Sequence, residues 1–326
     1  MNKKITAVVL ATFFLPTVFS AHAQPATKVA RVGMLAYGTA RSADVVTAFL
    51  QELQRRGWVE RKNFVFEFRT ADGKTDRLPD MASDLVRLKL DVIVASATPS
   101  ALAIQKATTM IPVVFAAVSD PVGIGLVASL ARPGGNITGF TNLNSDLSVK
   151  RLELLKETFP KASRIAVLSN PTDPISAPEL NEVKSAARVL RLQLQFFESK
   201  DANNLDVITN ALAKTRFGAL FVVTSQMFVG HRARVVEIAA KSRLPAIFWN
   251  SAFVDAGGLM SYGINLPDQY QRAAMYVDRI LKGTKPEDLP VERPMRFEFV
   301  INLKVAKQIG VTIPQSVLFR ADRVIK

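Results

Sequence analysis

The chain has 326 residues, a net charge of +14, 48% hydrophobic and 21% charged residues, and no cysteine. This composition excludes a disordered chain and a scaffold held together by disulfides, so the fold must be stabilised by burial of apolar side chains. The length suggests two domains, each large enough to bury its own core.

The N-terminus has the pattern of a secretory signal peptide. Two lysines in Met1–Lys4 precede an apolar run, Ile5–Ser20, and small residues follow at Ala21 and Ala23. This pattern predicts a leader over residues 1–23 that is cleaved after Ala23 and leaves a soluble exported protein. A membrane anchor fits less well, because Pro16 interrupts a run that is shorter than the ~20 apolar residues of a spanning helix.

The excess of positive charge raises the question of nucleic-acid binding. Two of the lysines belong to the leader, and the other basic residues alternate with acids, as in "RLELLKE" (Arg151–Glu157). The sequence has no helix-turn-helix signature and no basic tail. We therefore interpret the charge as a solvated surface and predict no nucleic-acid partner.

Strand-like and helix-like segments alternate through the first half of the chain. Predicted strands are Val29–Ala36, Asn63–Thr70, Asp91–Ser96, Ile111–Ala117 and Asn136–Phe140. Helices are predicted to begin near Ser42, at Asp76, and at Thr98–Pro99, where Thr98 is the expected cap. Asn63–Thr70 alternates apolar and polar residues, which is typical of an edge strand.

The second half repeats this order. Its predicted strands are Arg164–Asn170, Leu192–Glu198, Gly218–Thr224, Pro245–Asn250 and Gly257–Gly263. Alternation of strands and helices is typical of parallel sheets, so we predict an α/β protein of two similar Rossmann-like lobes.

The tail adds further elements after two complete lobes. It has an amphipathic helix (Asp268–Leu281), a connector rich in proline (Lys285–Pro294), a strand (Met295–Ile301) and a helix from Asn302 to Gly310. The chain is therefore expected to cross between the lobes more than once, as in a hinge. We predict one lobe from residues 24–141 and 264–290, and the other from residues 142–263 and 291–326.

A glycine-rich loop follows the fourth predicted strand. Gly123, Gly125 and Ala128 fit the dinucleotide pattern G-x-G-x-x-A, but that motif belongs after the first strand and needs an acidic residue ~20 positions further on. We interpret these residues as a tight turn that opens a helix. Pro133–Phe140 is predicted to be the first crossing between the lobes.

The sequence has few of the residue types and motifs that catalytic sites use. His231 is the one histidine outside the leader, and no G-x-S-x-G motif is present. We therefore predict no catalytic residue, metal site or cofactor, and no enzyme. An exported enzyme stays open as an alternative that turnover of a bound ligand would reveal.

Small polar residues recur where the predicted strands end. In open α/β sheets ligands bind at these carboxyl ends, opposite helix N-termini that suit carboxylates. The predicted ligand-binding residues are Tyr37, Thr39, Ser96, Thr98, Ser119, Asp120, Asn170, Thr224, Ser225, Asn250 and Tyr262.

Four stretches together resemble a known family. They are Ser119–Phe140, Arg151–Pro160, Ala256–Gly263 and Tyr276–Ile325, and they are similar to the tryptophan/tyrosine type of ABC-transporter substrate-binding proteins. This resemblance implies a periplasmic-binding-protein type I fold, with two lobes, three hinge crossings and a ligand in the cleft. It also implies a periplasmic location and an ABC permease in the inner membrane as partner.

On this basis we expect a monomer that closes on a small ligand such as an amino acid. Asp120 is predicted to bind the ammonium, groups near Ser96 and Thr98 the carboxylate, and Tyr37 and Tyr262 the side chain. A sensory protein that presents its closed state to a receptor kinase is the alternative with the same features. A DNA-binding regulator is excluded by the leader and by the lack of a helix-turn-helix.

Overall fold

The computed structural model describes residues 29–326, except residues 39, 42, 143 and 174. The predicted leader and the predicted helix start at Ser42 lie outside the described residues. Within the described part of the chain, no helix is long and apolar enough to cross a bilayer.

Five parallel strands form the first sheet in the order β2-β1-β3-β4-β5. They are β1 (Ala30–Ala36), β2 (Phe64–Thr70), β3 (Val92–Ser96), β4 (Val113–Val118) and β5 (Ile137–Thr141). Three helices connect the first four strands: α1 (Asp44–Arg55), α2 (Leu78–Arg87) and α3 (Thr98–Ala107). The predicted edge position of Asn63–Thr70 is confirmed, because β2 lies at the end of the sheet.

Seven strands form the second sheet, and five of them repeat the first topology. They are β6 (Arg164–Ser169), β7 (Gln193–Glu198), β8 (Ala219–Val222), β9 (Ala246–Phe248), β10 (Met260–Ile264), β11 (Phe297–Asn302) and β12 (Arg323–Ile325). The order is β12-β11-β10-β9-β8-β6-β7, so β7-β6-β8-β9-β10 matches the order of the first sheet. β11 runs antiparallel to β10.

The remaining helices follow in chain order. They are α4 (Asn144–Thr158), α5 (Ser176–Val189), α6 (Asn204–Ala213), α7 (Gln226–Gly230), α8 (Arg232–Lys241), α9 (Ser251–Asp255), α10 (Leu266–Leu281), α11 (Leu303–Ile309) and α12 (Gln315–Leu318). We call each sheet with the helices packed on it a lobe, the first lobe being built on β1–β5.

Both faces of the first sheet are buried, as expected for parallel strands. On one face Val94 and Phe140 pack with Phe49 of α1 and Ala273 of α10. A second cluster on the other face contains Ile93 and Phe115 of the sheet with Leu85 of α2 and Ile104 of α3. Burial of these apolar side chains stabilises the lobe by roughly 25 cal/mol per Å² removed from water.

The chain crosses between the lobes three times. It leaves the first sheet after β5, and it returns after β10, because α10 packs on the first lobe. Glu292 then pairs with the end of β5, since Thr141 N donates to Glu292 O at 3.0 Å, before β11 joins the second sheet. The lobe boundaries drawn from the sequence stay predictions.

The loop between β4 and β5 differs from its prediction. No helix begins at Gly123–Ala128; the segment is a series of turns. Leu126 N and Val127 N both donate to Pro121 O, and Ala128 N donates to Pro133 O at 2.9 Å. With Gly125 at φ +71°, these bonds close a compact loop in place of a helix.

Two further predictions are wrong. Pro133–Phe140 is not a crossing, because β5 pairs in parallel with β4 inside the first sheet. Thr98 does not cap α3 but lies within it, and Ala97 precedes the helix with φ +73°. The Thr98 hydroxyl instead accepts a hydrogen bond from Ser119 N at 3.2 Å.

The close approach of β10 to Trp249 gives a stability test. A Cβ added at Gly263 would lie 1.8 Å from Trp249 O, whereas one added at Gly230 would meet no atom within 4 Å. We expect Gly263→Ala to lower the free energy of unfolding by about 1–3 kcal/mol, because backbone must move. Gly230→Ala should change it by less than about 0.5 kcal/mol. Equal urea midpoints for the two variants would contradict this packing.

Candidate functional site

Two neighbouring cavities lie between the lobes, and Gln226 lines both. The smaller has a volume of about 280 Å³ and is lined by Tyr37, Thr75, Leu78, Pro79, Pro99, Leu102, Ala103 and Lys106 of the first lobe and by Asn170, Thr172, Asp173 and Gln226 of the second. The larger, of about 1030 Å³, includes Ser96, Ala97, Ala117, Asn142, Trp249, Asn250 and Tyr270 in its lining. Both cavities therefore take walls from both lobes.

The topology explains why these residues meet. The carboxyl ends of parallel strands lie at one edge of a sheet, so the loops after β1 and β3 are neighbours, as are those after β6, β8 and β9. Tyr37, Asn170 and Asn250 all lie in such loops. The cleft is thus bounded by two facing rows of strand ends.

Asp173 supplies a buried negative charge to the smaller cavity. The residue is 8% exposed, and its two carboxylate oxygens accept hydrogen bonds from Ile175 N at 3.2 Å and Gln226 N at 3.1 Å. Burial raises the pKa of Asp173 above its ordinary value, and these hydrogen bonds oppose the shift. Because a carboxylate oxygen can accept more than one hydrogen bond, Asp173 can still receive a cationic donor from the cavity.

Tyr37 faces Asp173 from the other lobe. It is buried at the end of β1, and its hydroxyl lies 3.2 Å from Thr75 Oγ1. Burial raises the pKa of Tyr37, and the negative charge of Asp173 adds to that increase. The two side chains therefore interact electrostatically across the cleft.

The start of α3 lies where the two cavities meet, since Ala97 lines the larger and Pro99 the smaller. Just before it, the Ser96 hydroxyl is hydrogen-bonded to the Tyr270 hydroxyl. Burial raises the pKa of Tyr270 to about 12, so this phenol stays neutral. Amides in the first turn of a helix lack partners within that helix and, together with its dipole, favour an anion.

A buried ion pair supports the loop after β8. Arg151 of α4 and Glu179 of α5 are both fully buried and joined by a short hydrogen-bonded contact. Glu179 also accepts a hydrogen bond from Thr224 N at 3.0 Å. Burial raises the pKa of Glu179 and lowers that of Arg151. The pair connects two helices to the backbone that leads to Gln226.

The structure brings four of the predicted ligand-binding residues to the cavities. Tyr37 and Asn170 line the smaller one, and Ser96 and Asn250 line the larger. Thr39 lies outside the described residues. The others line neither cavity: Thr98, Ser119, Asp120, Thr224, Ser225 and Tyr262.

Most of these six have partners within their own lobe. Asp120 is exposed and accepts a hydrogen bond from Gly123 N at 2.9 Å. Ser119 donates to Asn142 Oδ1 at 2.8 Å, and Ser225 accepts from Asn170 Nδ2 at 3.3 Å. Tyr262 packs against phenylalanines of β11.

Sequence reasoning missed Asp173, Gln226 and Thr75. Asp173 lies three residues beyond Asn170, in the same loop after β6. It becomes a candidate when polar residues are considered along the whole loop and not only at the end of the strand. The sequence around Thr75 and Gln226 gives no such indication, because the tertiary folding of their loops is what places them at the cavity.

His231 lies between α7 and α8, is exposed, and lines the larger cavity. Among the described residues, no group of three or more His, Asp and Glu side chains is placed to hold a metal ion.

Comparisons with known proteins identify the family and the fold. A family model described as ABC transporter substrate binding protein matches residues 38–325. A Clostridioides difficile (strain R20291) protein named tyrosine-binding protein is 29% identical over 264 residues, which cover 80% of this chain and 75% of that one.

Two solved structures are similar over 91% of the chain. One, an ABC domain from Streptococcus pneumonia in complex with L-Trp, has 30% identity and a TM-score of 0.83, with 99% of that chain covered. The other, a ligand-free, open substrate-binding protein from Clostridium difficile, has 27% identity and a TM-score of 0.67, with 99% covered.

The predicted fold class, a periplasmic-binding-protein type I architecture, is confirmed by these structures and by the two sheets of mainly parallel strands. The family model covers most of the chain. The protein therefore belongs to the family of ABC transporter substrate-binding proteins, which are binding proteins and not enzymes.

Proposed function

We propose that this protein is the periplasmic solute-binding component of an ABC importer and that it binds an α-amino acid between its lobes. The observation that carries the proposal is the position of Asp173. This carboxylate lines a small cavity shared by both lobes, whose lining also includes Pro99 in the first turn of α3 and the apolar Leu102 and Ala103. The tyrosine-binding relative and the L-Trp complex support the ligand class.

The cavity suggests how such a ligand is held. Its ammonium pairs with Asp173, and its carboxylate accepts hydrogen bonds from the first turn of α3. Its side chain lies along Pro99 and Leu102, beside Tyr37, where burial of apolar surface favours binding. Asn170 supplies a further polar contact in this cavity, and Ser96 and Asn250 line the larger cavity beside it.

This pose revises the roles expected from the sequence. Asp173 takes the ammonium in place of Asp120, whose carboxylate bonds to its own turn. The side chains of Thr98, Ser119, Thr224 and Ser225 then shape the loops without contacting the ligand. Tyr262 contributes to the packing of the second lobe.

The relative placement of the lobes supports a closed state. The chain is about equally identical to the L-Trp complex and to the ligand-free open protein, yet the TM-scores are 0.83 and 0.67. At matched identity, that difference favours a lobe arrangement like that of the ligand-bound protein. A ligand that contacts both lobes stabilises this state over the open one by its differential affinity, and the closed form delivers the ligand to the permease.

Replacement of Asp173 tests the proposal. We expect Asp173→Asn to weaken binding of the preferred amino acid by about 2–4 kcal/mol, or ~30- to 1000-fold, because the ammonium loses its charged partner. Titration calorimetry against a panel of L-amino acids measures the change. Asp120→Asn is the matched control and should alter affinity by less than about twofold. If Asp120→Asn weakens binding and Asp173→Asn does not, the assignment is wrong.

The pH dependence of binding follows from the same residue. The pKa of Asp173 is raised in the free protein, and a bound ammonium lowers it, so the ionised form is the one that binds. We therefore expect full affinity at neutral pH and a loss of affinity on acidification that begins at a higher pH than for an ordinary aspartate. Calorimetry at successive pH values should show this loss in the wild type and not in Asp173→Asn. A parallel loss in both proteins would assign the effect to another group.

A further inference from the structure

We propose that Lys106 makes the smaller cavity prefer amino acids with a hydrogen-bond acceptor at the far end of the side chain, so that tyrosine binds more tightly than phenylalanine. This inference deepens the proposed function and rests on it. It concerns the part of the cavity beside the C-terminal end of α3.

One face of α3 forms a continuous wall of the cavity. Pro99, Leu102, Ala103 and Lys106 all line it, and their spacing of three, four and seven residues places them on the same side of a helix. At 1.5 Å per residue the wall extends about 10 Å from the start of α3. A ligand whose charged groups lie at that start therefore directs its side chain along apolar residues toward Lys106.

The direction of the lysine side chain favours this contact. In a helix the Cα–Cβ bonds are inclined toward the N-terminus, so the Lys106 side chain leaves the backbone in the direction of Leu102 and Ala103. The flexible stem of a lysine can cover apolar surface while its ammonium remains in water. Lys106 is both exposed to solvent and part of the lining of the cavity.

The lining of the cavity carries one side chain of each charge. Of the twelve residues that line the cavity, only Asp173 and Lys106 carry a formal charge at neutral pH. The Lys106 ammonium forms no ion pair or hydrogen bond within the part of the chain that the structure describes. It is consequently free to donate to a ligand.

The Lys106 ammonium favours a ligand side chain that ends in a hydrogen-bond acceptor over one that ends in a hydrocarbon. A phenol oxygen at the para position can accept a hydrogen bond from the ammonium, whereas a phenyl ring ends in a C–H group. Hydrogen bonds to charged groups contribute more than neutral ones, but solvent exposure reduces the effect. We expect the wild type to bind L-tyrosine about tenfold more tightly than L-phenylalanine.

Calorimetry with L-tyrosine and L-phenylalanine tests this on three full-length mature proteins: wild type, Lys106→Met and Lys307→Met. Methionine keeps the length and apolar character of the stem and removes only the charged donor. Lys307 is a matched control, because it is an exposed lysine of helix α11 that lines neither cavity. Lys106→Met should lower the tyrosine-to-phenylalanine affinity ratio to about one, mainly by weakening tyrosine binding, and Lys307→Met should keep the wild-type ratio.

The other outcomes distinguish the possible errors. If Lys106→Met weakens both amino acids equally, Lys106 binds the α-carboxylate and the inference is overturned. An unchanged ratio in Lys106→Met, or a wild-type ratio of about one, also overturns it while leaving the proposed function intact. A wild type that binds neither of these nor any other amino acid of the panel overturns the proposed function itself.

Discussion

In a parallel sheet every strand ends at the same edge, and this geometry determines where the loops of this protein meet. Both sheets share one strand order, β2-β1-β3-β4-β5 and β7-β6-β8-β9-β10. Two equivalent rows of loops therefore face each other across the cleft, without any need for similar residues in the two halves. The inner strands of both sheets are mostly apolar and buried, so polar side chains concentrate just beyond their ends.

Interactions within each lobe keep these loops in position. The Arg151–Glu179 pair bonds to Thr224 N, and the Ser96–Tyr270 bond connects the end of β3 to the helix α10, which has crossed from the other lobe. An isolated buried charge is costly, so each partner of the ion pair depends on the other. Polar side chains in the cleft thus divide into those that shape the loops and those that line the cavities.

Much of the fold was predictable because hydrophobic periodicity is a local signal. The alternating run at Asn63–Thr70 indicated an edge strand, and β2 lies at an edge. The loop after β4 was mispredicted, because hydrogen bonds from its amides to Pro121 and Pro133 determine its course and no local pattern reveals them. The same limit applies to the site. Strand-end residues such as Asn170 were found, whereas the orientation of Asp173 depends on Gln226 N, which lies 53 residues away.

The central claim is that the cleft binds an amino acid through its charged groups. Native mass spectrometry of the protein isolated from cells without added ligand tests it most directly, because no ligand class has to be assumed. The account predicts one bound molecule per chain whose mass and fragmentation identify an α-amino acid with an apolar or aromatic side chain. A co-purified ligand that lacks an ammonium group, such as a sugar, would contradict it.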